Sequence, residues 1–142
     1  MLNLTELAIE LKEKTEWQET PFPVADSQYF RMILRGLKRL FIDTGRASQY
    51  DPTKLIVLEN EVYCYDSDFW IDEEEYILIC SQIIFFEKVQ TDVNNSFGYS
   101  TDAITVTNAD KPYANLKSTL DKLENERRIT FHKMVRFTLG EG

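Results

Sequence analysis

Apolar residues recur along this chain at spacings that predict a mainly α-helical fold, a bundle of about four helices with a long final helix. They are densest between Asp72 and Asp92, where only Ser81, Gln82, Glu87 and Lys88 interrupt a run of large apolar side chains. A helix that is apolar on nearly all sides is buried on several of them. Asp72–Asp92 is therefore predicted to be the central helix, with Ile79, Ile83 and Phe86 among its most buried residues.

The start of the central helix carries a capping signature. Asp72 is a favourable N-cap, and Glu75 three residues later completes a capping box. The apolar run that follows is too short to span a lipid bilayer. These features predict the central helix of a soluble bundle.

The first and last helices are predicted from apolar residues at wider spacing. The first covers Leu2–Trp17, with Asn3 or Thr5 as its N-cap. The last is predicted from near Asp110 to about Phe137, followed by a short flexible tail at residues 137–142. Its seam positions, four and three residues apart, are Leu116, Leu120, Leu123, Arg127, Thr130, Met134 and Phe137. This is a heptad seam with a polar middle.

The second helix begins at Asp26 or Ser27 and ends near Thr44, where Gly45 is the expected terminating residue. Gly36 in its interior lowers helix propensity, which points to a close backbone approach at that position.

One face of the second helix is basic, although the chain as a whole is acidic. It carries Arg31, Arg35, Lys38 and Arg39. Two interpretations are open: a solvated helix face, or a docking surface for an acidic partner, since arginine is favoured at interfaces. The C-terminal helix also carries basic residues, among them Arg127 and Arg136. Arg127 is interpreted either as a snorkelling residue or as a contact between subunits.

Two segments between the helices have β character. Leu55–Leu58 and Val62–Tyr65 are separated by three polar residues, which predicts a small hairpin. The segment Ser96–Asp110 is long for a plain connection, and segments of this kind are often functional. Its apolar residues, Phe97, Tyr99, Ile104 and Val106, are candidates for a partner interface.

Composition narrows the classes of function. The 142 residues predict a single domain, residues 1–142, and the net charge of −8 argues against a nucleic-acid binder that relies on a basic surface. Cys64 and Cys80 have no metal-ligand spacing and are interpreted as reduced core thiols. His132 is the only histidine, and no serine stands in a nucleophile-elbow setting. We expect no enzyme activity, no metal and no cofactor. The amphipathic, acidic N-terminus is not a signal peptide, so a cytoplasmic location is expected.

The combined pattern resembles the head-tail connector proteins of tailed bacteriophages, also called adaptor or head-completion proteins. The likeness lies in the central helix Asp72–Asp92, the loop Ser96–Asp110 and the long helix Lys111–Phe137 with its polar tail. It implies a compact helical subunit of a homo-oligomeric ring, dodecameric in that family, located in the virion neck between portal and tail. The implied partners are the portal protein and a tail or stopper protein, with DNA only as passing cargo and no membrane. The host cytoplasm is the implied site of assembly.

An alternative class is a small soluble helical interaction or inhibitor domain, such as an immunity protein, an antitoxin or a related regulator, in which an acidic pI is common. The pI of about 4.7 fits that class. A ring subunit oligomerises, whereas an inhibitor forms a tight one-to-one complex, so particle mass distinguishes the two.

Overall fold

The computed structural model of the chain describes residues 1–96 and 112–141, with side chains up to Val135. Within these ranges the fold is four α-helices and one small antiparallel sheet, which confirms the mainly α prediction. The helices are α1 Leu4–Thr15, α2 Asp26–Asp43, α3 Ile71–Ser96 and α4 Leu116–Glu141. The strands are β1 Leu2–Asn3, β2 Leu55–Leu58 and β3 Val62–Tyr65.

Helix α3 is the centre of the bundle, as its apolar pattern predicts. It packs against α1, α2 and α4. Ile79, Ile83 and Phe86 are all buried, and the fully buried Phe85 packs edge-on against Phe86 with ring centroids 5.1 Å apart. The helix runs four residues beyond the predicted end at Asp92, because Val93 still packs against the core.

The capping residues of α3 differ from the predicted pair, Asp72 and Glu75. The Trp70 N–H donates to Glu73 Oε1 at 3.0 Å, so the reciprocal cap lies two residues earlier in the chain. Glu73 is favoured because its other carboxylate oxygen accepts a bond of 2.7 Å from Arg46, which follows α2. A long-range ion pair thus selects which of several adjacent acidic residues caps the helix.

The C-terminal end of α2 follows the prediction. Gly45 has φ +72°, and its N–H donates to the Ile42 carbonyl at 3.1 Å. The next N–H, from Arg46, donates to the Phe41 carbonyl at 2.7 Å, which completes a Schellman motif. At the other end the helix begins at Asp26, as predicted. Its N-cap is Ala25, whose N–H donates to the Gln28 side chain at 2.7 Å.

The predicted hairpin is present and gains a third strand. β2 pairs with β3, and β3 pairs with β1, which gives the order β1-β3-β2. Residues Leu2–Asn3, predicted as helical, are therefore extended, because their backbone pairs with Tyr65 and Cys64. Asn3 is the N-cap of α1, as predicted, and its Oδ1 accepts the Glu6 N–H at 2.9 Å.

Helix α4 begins at Leu116 rather than near Asp110, after a turn at residues 112–115. Its predicted seam is confirmed from Leu116 to Met134: Leu116, Leu123, Thr130 and Met134 are buried, while Leu120 and Arg127 are half-buried. The helix continues to Glu141, through residues for which the sequence predicted only a tail.

Candidate interaction surfaces

The first candidate surface, the basic face, consists of Arg31, Arg35, Lys38 and Arg39 of α2. All four basic side chains are exposed, and Ile42, one turn beyond Lys38 and Arg39, is 56% exposed. Positions 35, 38, 39 and 42 share one side of the helix because they are three and four residues apart.

The contacts of the basic face within the chain are few. Arg39 forms an ion pair with Asp43 at 3.0 Å, and Lys38 lies over the ring of Tyr50 at 5.5 Å. Neither Arg31 nor Arg35 has an acidic partner within residues 1–96 and 112–135. Two guanidinium groups thus project from the described part of an acidic protein without charge compensation.

A groove of about 500 Å³ runs beside the basic face, between α2, α3 and α4. Its basic wall is formed by Arg35, Lys38, Arg39 and Arg127. Ile83 and Ile84 of α3 line the apolar part, and Glu87 and Glu124 add two acidic side chains. The groove therefore combines an apolar strip with a wall of mainly positive charge.

The second candidate surface, the acidic face, lies on the outer side of α1. It consists of Glu6, Glu10, Glu13 and Glu16 around Ile9, which is 54% exposed. Glu74 at the start of α3 extends it: burial raises the pKa of its carboxyl, and the nearby carboxylates of Glu10 and Glu6 raise it further. Negative charge on this face is therefore dense enough to affect a neighbouring carboxyl.

An apolar groove of about 740 Å³ adjoins the acidic face, between α1 and α2. Ala8, Ile9, Phe30 and Tyr63 line it, and the rings of Phe30 and Tyr63 are 5.0 Å apart. Its polar lining is mainly acidic, contributed by Glu13, Glu16, Asp26 and Glu61, with Lys12 paired to Asp26 at 3.2 Å. Apolar surface enclosed by carboxylates is suited to a partner with apolar and basic side chains.

A polar cluster joins three helices beneath α4. The Tyr76 hydroxyl of α3 donates to Asp43 Oδ2 of α2. Arg127 of α4 donates to Tyr76 Oη at 3.2 Å and to Asp43 Oδ2 at 3.4 Å, and it also binds Glu124 at 2.9 Å. Burial raises the pKa of the Tyr76 phenol, and the bond to Asp43 adds to that increase.

The sequence left two interpretations of Arg127 open, a snorkelling residue or a contact between subunits. The polar cluster instead gives Arg127 contacts within its own chain. Its guanidinium is half-buried and bound to three side chains of the same molecule. Neither Asp43 nor Tyr76 was predicted to belong to a polar cluster. One feature of the sequence does point to Asp43: it is an acidic residue in the last turn of a helix, where the helix dipole disfavours negative charge unless a cation is near.

Both cysteines are buried free thiols, in agreement with their interpretation as core residues. Cys80 lies next to the polar cluster, and burial raises the pKa of its thiol to about 12. A thiol held neutral in this way is a poor nucleophile at neutral pH. His132 is exposed on α4, beside the ring of Phe131.

The remaining residues predicted at an interface are distributed unevenly. Arg31, Arg35 and Arg39 lie together on the basic face, whereas Arg127 belongs to the polar cluster. Four others, Phe97, Tyr99, Ile104 and Val106, lie outside the described residues. Arg136 and Phe137 belong to α4 by their backbone, and their side chains lie outside the described part.

Two searches of the described residues for other classes of site gave negative results. No three His, Cys, Asp or Glu side chains there are grouped to hold a metal ion. None of the helices in those ranges has the length and apolar character needed to cross a membrane.

Comparison of the chain with family models, with curated proteins and with solved structures finds no significant match.

Proposed function

We propose that this protein is a structural subunit of a tailed bacteriophage or prophage, a head-tail connector that assembles as a ring between portal and tail. It acts in the virion neck, after assembly in the host cytoplasm, and it performs no catalysis. The observation that carries the proposal is the basic face, where Arg31 and Arg35 project beside exposed Ile42 without an acidic partner in the described chain. Charged and apolar groups left together on a surface are typical of a protein contact.

The fold supports this proposal in a second way. A compact bundle centred on α3 and extended by the 26-residue α4 offers rigid surfaces on several sides. Rigid subunits with two different contact faces assemble head to tail, and such contacts close into rings when the rotation between neighbours permits. In this proposal the loop Ser96–Asp110 and the C-terminal segment, with Arg136 and Phe137, contact the portal, tail or stopper protein.

The proposal is tested in a phage that carries this gene. Removal of the gene is expected to leave DNA-filled or emptied heads separated from tails, counted by electron microscopy and by infectious titre. Replacement of Phe97–Thr107 by a short Gly/Ser link should give the same particles. Normal tailed virions without the gene would overturn the proposal, and normal virions from the loop replacement alone would exclude that segment as the joint.

A charge-reversal pair tests the basic face in the same system. Arg31→Glu/Arg35→Glu should reduce the infectious titre by about tenfold or more, because it places negative charge against an acidic neighbour. Lys117→Glu/Arg128→Glu is the matched control: it changes the net charge equally, at exposed positions of α4. Equal titres from the two variants would show that the basic face has no specific role.

One observation favours a second candidate, a monomeric inhibitor or regulator that binds one partner. The apolar groove lined by Ile9, Phe30 and Tyr63 is mainly acidic in its polar lining, as expected for the capture of a basic protein segment. Native mass spectrometry separates the candidates. A stable one-to-one complex with a basic protein encoded beside this gene, without larger assemblies, favours the inhibitor.

A further inference from the structure

We infer that neighbouring copies of this chain bind through opposite charges: the acidic face on α1 of one copy lies on the basic face on α2 of the next. This inference rests on the proposed ring and specifies which surfaces form its repeated contact. It is carried by two faces that are opposite in sign, equal in their number of charged side chains, and each joined by one exposed isoleucine.

The charges on the two faces match in number. Four glutamates of α1 stand opposite three arginines and one lysine of α2, and all eight side chains are exposed. Most of them also lack compensation within the described chain. Glu10 and Glu13 form no ion pair there, and neither do Arg31 and Arg35. Contact between the faces therefore supplies partners that each copy does not supply to itself.

Each charged face includes one exposed isoleucine. Ile9 lies between Glu6 and Glu13, and Ile42 follows Lys38 and Arg39, at the three- and four-residue spacings of one helix side. The two isoleucines are 54% and 56% exposed. Burial of both against each other, inside a rim of ion pairs, has the form of an interface with an apolar centre and a polar rim.

Each isoleucine also lines a groove. Ile42 lines the groove of about 500 Å³ beside the basic face, and Ile9 lines the groove of about 740 Å³ beside the acidic face. The two faces lie on different elements and share no residue, as a head-to-tail contact between copies requires.

The experiment exchanges the charges. Arg31→Glu/Arg35→Glu brings the basic face to zero net charge, because Lys38 and Arg39 remain, and Glu10→Lys/Glu13→Lys does the same to the acidic face, where Glu6 and Glu16 remain. Each purified full-length variant should remain monomeric at low ionic strength because one of its two faces no longer attracts the other, with association weakened at least about tenfold relative to the wild type. An equimolar mixture should restore the wild-type assembly, with the two variants alternating, as measured by sedimentation velocity and native mass spectrometry.

Two controls distinguish specific binding from misfolding and from bulk charge. Circular dichroism melts verify that each variant retains the wild-type helix content and Tm. A Lys117→Glu/Arg128→Glu variant changes the net charge as much as Arg31→Glu/Arg35→Glu does, but its altered charges lie on α4 and both faces are intact, so it should assemble as the wild type does. If it also stays monomeric, the change in net charge explains the loss of assembly, and the inference is wrong.

Other outcomes separate this inference from the proposed function. The charge contact is wrong if the variants assemble as the wild type does, or if the wild type does not associate at low ionic strength. Neither result decides the connector proposal, which is tested separately with virions. A mixture that stops at dimers would support the contact and contradict the ring. Restoration of assemblies larger than dimers supports both.

Discussion

Gly36 of α2 lies directly against Ser81 of α3, and the two helices cross at this pair. A Cβ atom at position 36 would be 2.5 Å from Ser81 Oγ and 2.7 Å from the Ile77 carbonyl oxygen. Ser81 itself is buried, and its hydroxyl donates to the Ile77 carbonyl at 2.7 Å and lies 3.2 Å from the Met32 carbonyl. The absence of a side chain on Gly36 thus sets how closely α2 approaches the centre of the bundle.

Gly36→Ala is therefore expected to destabilise the fold, although alanine favours helices by about 1 kcal/mol over glycine. The clash with a backbone carbonyl should exceed that gain and lower the free energy of unfolding by about 1–3 kcal/mol in urea titrations. Ser81→Ala should not rescue the variant, since the Ile77 carbonyl remains. Arg35→Ala, one position away and exposed, should change stability by less than about 0.5 kcal/mol. An unchanged urea midpoint for Gly36→Ala would mean that the helices do not cross here.

Features of the fold that depend on adjacent residues could be read from the sequence, and those that depend on distant residues could not. Helix α2 ends through bonds from Gly45 and Arg46 to carbonyls three and five positions earlier, respectively. The burial of Ile83 and Phe86 follows from the density of apolar neighbours on α3. Strand β1 escaped prediction because its partner, β3, lies about sixty residues away. Two residues of extended chain have no periodicity of their own.

The same reason accounts for the candidate surfaces. The basic face was predictable because its four side chains follow the spacing of a single helix. The polar cluster was not, since Asp43, Tyr76 and Arg127 come from three helices and meet only after packing. Arg127 stood out as a charge within an apolar seam, but no pattern along the chain specified its two partners.

Removal of the Arg127 guanidinium should destabilise the bundle. Arg127→Met retains an apolar stem and leaves Asp43, whose side chain is only 14% exposed, with fewer donors. We expect a loss of about 1–3 kcal/mol in the free energy of unfolding. The adjacent Arg128→Met is the matched control, because Arg128 is exposed and its bond to Asn125 lies within α4. In the double variant Arg127→Met/Tyr76→Phe, the change in the free energy of unfolding should differ from the sum of the two single changes by about 0.5 kcal/mol or more. A change equal to that sum would contradict a shared cluster.

Alkaline pH should destabilise the protein in part through Cys80. Its thiol pKa is raised to about 12 in the fold, so above about pH 9 the unfolded thiol loses its proton while the folded thiol keeps it. The stability contributed by the neutral thiol is present below that pH and declines by up to about 1.4 kcal/mol per pH unit above it. Denaturation of the wild type and of Cys80→Ala at several pH values from neutral to alkaline isolates this contribution. If the free energy of unfolding falls equally with pH in the two proteins, the Cys80 thiol makes no such contribution.

Replacement of Glu73 should show which acidic residue caps the central helix. The Glu73 carboxylate accepts hydrogen bonds from the Trp70 N–H at 3.0 Å and from Arg46 at 2.7 Å. Glu73 is only 9% exposed. Glu73→Ala removes both bonds, so we expect a loss of about 1–3 kcal/mol in the free energy of unfolding. Glu73→Gln retains an acceptor for the Trp70 N–H and should recover part of that loss.

Glu75→Ala is the matched control for the cap, because the sequence alone favours Glu75 as the capping residue. Glu75 is exposed two positions along the same helix, and its replacement should cost less than about 0.5 kcal/mol. Urea titrations of the three variants, monitored by tryptophan fluorescence, compare them directly. A larger loss of stability from Glu75→Ala than from Glu73→Ala would mean that Asp72 and Glu75 form the capping box and that Arg46 does not stabilise the start of α3. The reverse order is expected, because only Glu73 is held by a cation from another part of the chain.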